Sequence, residues 1–396
     1  MFDPFYILVA VIFLTIVTVL VAAHELGHYL FARLFKMGVE EFAIGFGRRP
    51  LWTYMRRTYK TDHPTADGKG EETTNFTIRP WPLGGFVRIK GMVPEEDGSE
   101  VNVQGGFYSK PPWQRFVVLL AGPVFSILAG FALLIPLFMV VGVNKPLNEP
   151  VIGALGEKGE SAAADAGLMK GDRILAIDGK PVSTFYDVIL SIRDRGVEPV
   201  TLAIKRENRQ FDVTLTPRLD EQPTPVLNSS LEATPDRKIQ SKLGAGYQRV
   251  RVPQPFLSAV REAVSLPGRM VASLFGVVKQ PSRFKDEMGG PASMVAITAG
   301  SAREGLPDVL FFAGALSISL GIFNLLPIVP LDGGQMLVAV AEMFRRGRRL
   351  SFKVQNTVTG FGFILILMLI VGVFAADINR FLPGKKEETK VASEKK

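Results

Sequence analysis

The chain has 396 residues, of which 47% are hydrophobic, and its mean hydropathy of +0.21 sets it apart from soluble proteins. The formal net charge is +8, but many of the cations flank apolar stretches, which indicates membrane topology and argues against a nucleic-acid partner. There are no cysteines, so disulfides and thiolate metal ligands are excluded.

Four long uncharged stretches predict an α-helical multi-pass protein of the lipid bilayer with about four spans. Each stretch is near or above the roughly 20 residues that cross a hydrocarbon layer. The first is expected to stay in the mature protein, because no Lys or Arg precedes it as in a signal peptide. The stretches are Phe5 to Ala23, Phe116 to Val143, Val309 to Leu331 and Val354 to Ala376.

Basic residues follow the first and third stretches, at 33–57 and 345–349. The positive-inside rule therefore predicts that both loops are cytoplasmic. The N-terminus, the segment 144–308 and the C-terminus are then expected on the other side of the membrane.

The first apolar stretch leads directly into His24-Glu25-Leu26-Gly27-His28. In a helix, His24 and His28 share a face and can bind one Zn²⁺, while Glu25 beside them can carry a proton. Ionisable side chains at membrane depth are costly, which favours a functional reading over a pair of core histidines.

Alternating polar and apolar runs follow, such as Asn75 to Ile78 and Gly85 to Ile89. They predict a membrane-associated β-hairpin or small sheet within residues 37–114, with its tip at 61–72. The third histidine, His63, lies in that polar tip and is interpreted as a solvated loop residue.

Short β-like runs at 173–177 and 200–204, with a helical stretch near 185–193, predict a small α+β domain over residues 149–219. Residues 220–255 are expected to be a linker and extended segment, and 256–308 an interfacial amphipathic segment. The charged tail, 384–396, is expected to be disordered.

A catalytic zinc usually has three protein ligands and a water, so one ligand is still missing. Asp332 lies at the basic-flanked end of the third stretch, on the same side of the bilayer as His24. Nearby prolines and glycines loosen the helix, and irregular backbone at this depth is tolerated where it lines a cavity. Asp332 is therefore the predicted third ligand; the alternative is a turn residue beside Gly333.

Together these motifs resemble the site-2 protease family of intramembrane zinc metalloproteases, most closely its bacterial branch of regulated intramembrane proteolysis. The resemblance covers nearly the whole chain. Its markers are the motif at 24–28, Pro82 to Val87, Ala121-Gly122-Pro123, Gly289-Gly290-Pro291 and Asn324 to Gly334.

The resemblance implies that His24, His28 and Asp332 bind zinc and that Glu25 is the general base. It also implies that Asn324 engages the substrate backbone. Two positions depart from the family pattern: Ser126 stands where Asn is usual, and Val329 where a proline is usual.

The implied substrates are single-span membrane proteins of the anti-sigma factor or remnant signal peptide type, cut in the bacterial inner membrane with the active site toward the cytoplasm. We expect the unwound substrate to add as a strand beside Gly84, Gly85 and Phe86.

Residues 166–179 look like part of a PDZ domain of the bacterial protease type, expected on the extracytoplasmic side. Gly167 and Leu168 are the expected contacts of a peptide ligand whose carboxylate binds to backbone amides. A size filter or spacer without a ligand is an equal alternative.

Three other functions stay open at this point. A membrane metallopeptidase of another family would take its third ligand from a later Glu. A catalytically silent scaffold would use only the PDZ-like domain, and a transporter is disfavoured by the few spans.

Overall fold

A computed structural model of the chain describes residues 3–60, 70–93, 97–156, 158–159, 161–220, 224–231, 233–279 and 289–381. It divides into a membrane unit, Met1–Met139 with Pro255–Lys396, and an inserted unit, Val140–Gln254. The predicted loop residue His63 and the charged tail, 384–396, lie outside the described residues.

Four helices of the membrane unit are long and apolar enough to cross a membrane, among the residues described. They confirm the predicted multi-pass character, although the third ends at Asn324 and not at Leu331. Helices are numbered in chain order. The spans are α1 (Pro4–Leu34), α2 (Pro112–Val140), α7 (Leu306–Asn324) and α9 (Phe352–Phe381); the unit also has α5 (Phe256–Lys279), α6 (Pro291–Glu304) and α8 (Asp332–Phe344).

Helix α1 runs without interruption through the histidine motif. The Asp3 carboxylate accepts the Phe5 N–H at 2.9 Å and Pro4 occupies the first turn, both favourable at a helix N-terminus. The helix ends at Leu34, just before Lys36 adopts a φ of +55°. Both histidines therefore lie within regular helix, which fixes the spacing of their side chains.

The predicted β-hairpin or small sheet is a four-stranded sheet. Its order is β2-β3-β1-β4, with β1 parallel to β3 and antiparallel to β4. Strands β2 and β3, on either side of the predicted tip, pair antiparallel as a hairpin would. Strand β1 has the most buried side chains of the four and lies between β3 and β4. The strands are β1 (Val39–Phe46), β2 (Trp52–Lys60), β3 (Glu71–Ile78) and β4 (Trp81–Ile89).

Aromatic packing joins this sheet to α1. The Tyr29 ring meets Phe42 and Phe76 edge to face, with centroids 5.9 and 5.5 Å apart. Val118 and Leu119 of α2 are buried in the same cluster. The sheet is thereby held beside the half of α1 that carries the histidine motif.

The inserted unit is a small α+β domain around a sheet of order β10-β9-β7-β8. The predicted strands correspond to β7 and β9 and the predicted helix to α4. The unit contains β5 (Val143–Pro146), β6 (Ile152–Leu155), α3 (Ala162–Asp165), β7 (Arg173–Ile177), β8 (Lys180–Pro181), α4 (Phe185–Arg193), β9 (Val200–Arg206), β10 (Arg209–Leu215), β11 (Arg218–Leu219), β12 (Thr224–Leu227), β13 (Ala233–Lys238), β14 (Ser241–Lys242), β15 (Ala245–Tyr247) and β16 (Arg249–Val252).

Residues 220–255, predicted to be a linker and extended segment, are largely extended where they are described, but they form strands of the inserted unit and not a linker. Strands β14, β15 and β16 pair with β11, β6 and β5, and β12 pairs with β13. Leu243 is buried in the core of the unit. These strands are short and polar, so their composition does not reveal their distant partners.

A buried ion pair joins α2 to α8. Arg115 Nη2 donates to Glu342 Oε2 at 2.5 Å, with side chains 3% and 0% exposed. The Leu350 N–H donates to the other Glu342 oxygen at 3.1 Å. Removing one partner would leave a buried charge uncompensated.

We therefore expect Glu342→Ala to lower the free energy of unfolding by about 3–5 kcal/mol. Denaturant unfolding of the purified protein in detergent would measure this. The control is Glu262→Ala, whose partner Arg269 is 57% exposed, with an expected loss below about 1 kcal/mol. Equal losses in both variants would contradict the prediction.

Asp172 is a buried acid of the inserted unit. Burial opposes its ionisation, but two hydrogen bonds from Arg206, both 2.7 Å, outweigh this and hold the pKa of Asp172 below its usual value. A lowered pKa in the folded state stabilises the fold above the unfolded value of about 3.9, and this stabilisation is lost as the pH falls through the folded pKa.

Asp172→Asn should therefore destabilise the inserted unit at pH 7, and its difference from wild type should shrink below about pH 4. Hydrogen exchange of the β7 amides at several pH values would measure this. Asp165→Asn, which removes an exposed pair with Arg218, is the control. A difference that is constant with pH would count against the assignment.

Candidate metal centre

Three side chains from two helices meet at one point. His24 and His28 lie one turn apart on α1, and Asp332 is the first residue of α8. Asp332 Oδ2 lies 3.1 Å from His24 Nε2 and 3.5 Å from His28 Nε2, and the two Nε2 atoms are 3.2 Å apart. Within the described ranges, these form a group that could hold a metal ion.

The cluster fits a tetrahedral zinc ion. Zinc binds imidazole nitrogen and carboxylate oxygen at about 2.0–2.2 Å, so two ligand atoms of a tetrahedral site are separated by about 3.3–3.5 Å. Of the three observed separations, 3.5 Å lies in this range, and 3.1 and 3.2 Å are slightly below it. Two histidines and one carboxylate also match the donor set of catalytic zinc sites, which leave one position open.

The second nitrogen of each imidazole contacts α2. His28 Nδ1 lies 2.8 Å from the Val118 carbonyl oxygen, and His24 Nδ1 lies 2.9 Å from Ser126 Oγ. Such outer contacts fix the ring orientation and the tautomer of a zinc-binding histidine. Sequence reasoning noted Ser126 only as a departure from the family pattern and missed this contact.

Glycines allow α1 and α2 to touch at the cluster. A Cβ atom at Gly27 would lie 2.4 Å from the Ala121 carbonyl oxygen. A Cβ atom at Gly122 would lie 2.3 Å from His28 Nε2 and 2.9 Å from His24 Nε2. Both positions therefore require glycine for the imidazoles to keep their places.

A break between α7 and α8 brings Asp332 to the histidines. The segment 325–331 folds back on the start of α8, where a Cβ atom at Gly333 would lie 2.4 Å from the Leu325 oxygen and one at Gly334 would lie 2.2 Å from the Val329 nitrogen. On α9, the Val329 carbonyl oxygen lies so close to Gly362 that a Cβ atom there would overlap it. The two glycines after Asp332 are thus needed to form this turn.

Glu25 is held by the neighbouring sheet. The Val87 N–H of β4 donates to Glu25 Oε2 at 2.9 Å. The predicted substrate-binding residues Gly84, Gly85 and Phe86 precede Val87 on that strand. A Cβ atom at Gly85 would lie 2.5 Å from the Ala43 oxygen, so glycine permits the β1–β4 pairing there.

Three other predicted residues have local partners. The Asn324 side-chain amide donates to the Leu320 carbonyl one turn earlier, at 2.9 Å. In the inserted unit, the Gly167 and Leu168 amides donate to the carbonyls of Ala164 and Ala163, at 3.1 and 3.0 Å, and Leu168 is a core residue. A peptide carboxylate would have to displace these bonds, so the structure disagrees with that expected use of Gly167 and Leu168.

Two histidines on an apolar helix, with a carboxylate as the third donor, are typical of membrane zinc metalloproteases. The family model "Peptidase family M50" matches residues 12–369 of the chain. The chain therefore belongs to peptidase family M50, the site-2 protease family, and is a zinc metalloprotease of the membrane. This excludes the alternative of another metallopeptidase family.

Named relatives agree over nearly the whole chain. A Helicobacter pylori protein named "Putative zinc metalloprotease" is 33% identical over 92% of this chain and 97% of its own length. A Rhizobium meliloti protein with the same description is 31% identical over 93% and 95%. The Arabidopsis thaliana "Probable membrane metalloprotease ARASP2, chloroplastic" is 29% identical over 89% and 76%.

Because a Cβ atom at Gly122 would collide with both imidazoles, Gly122→Ala should weaken zinc binding by more than about tenfold. Titration of the purified protein with a competing chelator would measure this. Gly300→Ala on α6, where a Cβ atom meets nothing within 4 Å, should bind zinc as the wild type does. Wild-type affinity in both variants would contradict the proposed crowding.

Proposed function

We propose that this metalloprotease hydrolyses peptide bonds within transmembrane segments of single-span membrane proteins. Its zinc ligands would be His24, His28 and Asp332, with Glu25 as general base. The observation that carries the proposal is the meeting of three ligand atoms within 3.5 Å of one another. Two of them are on α1, which is apolar and long enough to cross a membrane, and Asp332 follows α7, another such helix.

Zinc and the protein side chains would have different roles in the hydrolysis. A zinc ion held by the three ligands supplies Lewis acidity toward the scissile carbonyl and the attacking water. Glu25 follows His24 directly on α1, so its carboxylate can take a proton from that water and deliver it to the leaving amine. The Val87 N–H orients one Glu25 oxygen and leaves the other for this transfer.

An apolar cavity of about 550 Å³ supports the proposal that the substrate segment is hydrophobic. It is lined on α1 by Val17, Leu20 and Val21, which precede His24 by seven, four and three residues and so share its face of the helix. On α7 the lining extends to Phe323, next to Asn324. Apolar side chains beside the scissile bond could occupy this space.

The sheet offers a route for unwinding the substrate. A helical substrate has its amides bonded internally and must expose a carbonyl before it can be cut. Strand β4 is an edge of the sheet among the described strands, and its Val87 contacts Glu25. A substrate strand added beside Gly84, Gly85 and Phe86 would therefore run next to the general base.

The remaining parts of the proposal follow from the family resemblance. The substrates would be anti-sigma factors or remnant signal peptides, cut during regulated intramembrane proteolysis in a bacterial inner membrane. The active site would face the cytoplasm and the inserted unit the other side. That unit would act as a PDZ domain, either binding a peptide or limiting access to the site.

The test is incubation of the purified protein with single-span model substrates, with and without a zinc chelator, with cut sites mapped by mass spectrometry. Glu25→Gln should keep zinc and lose about 10²–10⁴-fold in cleavage rate, because it retains shape but cannot accept the proton. Asp332→Ala should lose both zinc and cleavage.

Glu40→Gln, an exposed acid on β1, is the matched control and should cleave as the wild type does. Full activity in Glu25→Gln, or full zinc content in Asp332→Ala, would refute the assigned roles. Cuts confined to soluble segments of the substrates would refute the intramembrane reaction.

A further inference from the structure

The hydroxyl of Ser126 contacts the imidazole of His24 on the side away from the cluster. Ser126 Oγ lies 2.9 Å from His24 Nδ1, and Ser126 is 0% exposed. A zinc-binding imidazole is neutral and carries its proton on the nitrogen that does not face the metal. With zinc on Nε2, the Nδ1–H of His24 would therefore donate a hydrogen bond to Ser126 Oγ.

The two histidines differ in how they are held. The partner of His28 Nδ1 is the main-chain carbonyl of Val118, which no side-chain substitution removes. The partner of His24 Nδ1 is a side chain, so the residue at position 126 decides the ring orientation of His24. This makes position 126 a point at which the chain can tune its metal site.

Close packing of α2 on α7 places the short serine within reach. Ser317 Oγ donates to the Ser126 carbonyl oxygen at 2.7 Å. A Cβ atom at Gly321 would lie 2.7 Å from the Pro123 oxygen and 3.3 Å from Ser126 Cβ. The backbone of α2 is therefore fixed next to α7, and Ser126 Oγ has a defined position opposite the His24 ring.

We propose that Ser126 is a positioning residue that sets the affinity of the site for zinc by orienting His24. The inference rests on the proposed role of His24 as a zinc ligand. It concerns the strength of metal binding, which can be measured without any substrate.

The experiment measures the zinc dissociation constant of the full-length protein in detergent, by competition with a chelator of known affinity. Ser126→Ala should raise this constant about 10–100-fold, the usual effect of losing an outer hydrogen bond to a metal-binding histidine. Ser126→Thr keeps a hydroxyl on the same carbon and should restore affinity close to that of the wild type.

Thr298→Ala on α6 is the control, because it removes another fully buried hydroxyl of the membrane unit, which donates to the Met294 carbonyl and not to the helices that carry His24 and Ser126. It should leave zinc affinity unchanged. An unchanged constant in Ser126→Ala would overturn the proposal, as would equal losses of affinity in Ser126→Ala and Ser126→Thr, or in Ser126→Ala and Thr298→Ala. Should Ser126→Ala fail to fold, Ser126→Cys has a similar size and a weak acceptor, and wild-type affinity in it would overturn the proposal.

A parallel measurement on His24→Ala separates this inference from the proposed function. Retention of zinc in His24→Ala would show that the metal site itself is assigned wrongly. Loss of zinc in His24→Ala together with wild-type affinity in Ser126→Ala would reject only the role of Ser126.

Discussion

The architecture of the membrane unit depends on backbone contact between helices at the two imidazoles. Gly27 of α1 meets the Ala121 carbonyl of α2, and Gly122 lies against both rings. A side chain at either glycine would push α1 and α2 apart, because packed interiors have no room for an extra atom. The ligand atoms can lie this close together only because α1 and α2 are in direct contact at these two glycines.

Helix α2 contributes no metal ligand, yet it determines how the ligands are held. Its Val118 carbonyl and Ser126 hydroxyl occupy the outer nitrogens of the two histidines. The buried pair between Arg115 of α2 and Glu342 joins it to α8, the helix that begins with Asp332. The same helix thus supports both halves of the cluster, and the sheet adds the contact from Val87 to Glu25.

The errors of sequence reasoning share a physical cause. The predicted hairpin is present as β2 and β3, but the sequence did not show that the parallel pairing of β1 with β3 and its antiparallel pairing with β4 extend it to four strands. The linker prediction relied on the composition of 220–255, whereas strands there pair with segments up to about a hundred positions earlier. Composition and periodicity report local preference, and strand pairing depends on distant partners.

The sequence by itself determined the apolar spans, the shared face of His24 and His28, and Asp332 as an acid at a broken helix end. These follow from local rules, namely the thickness of a bilayer, the period of a helix and the effect of proline on it. Only the tertiary structure decided that Asp332 reaches both histidines, that Val87 holds Glu25, and that Ser126 holds His24. Each of these contacts joins residues far apart in the chain, so it depends on how the helices and the sheet pack together.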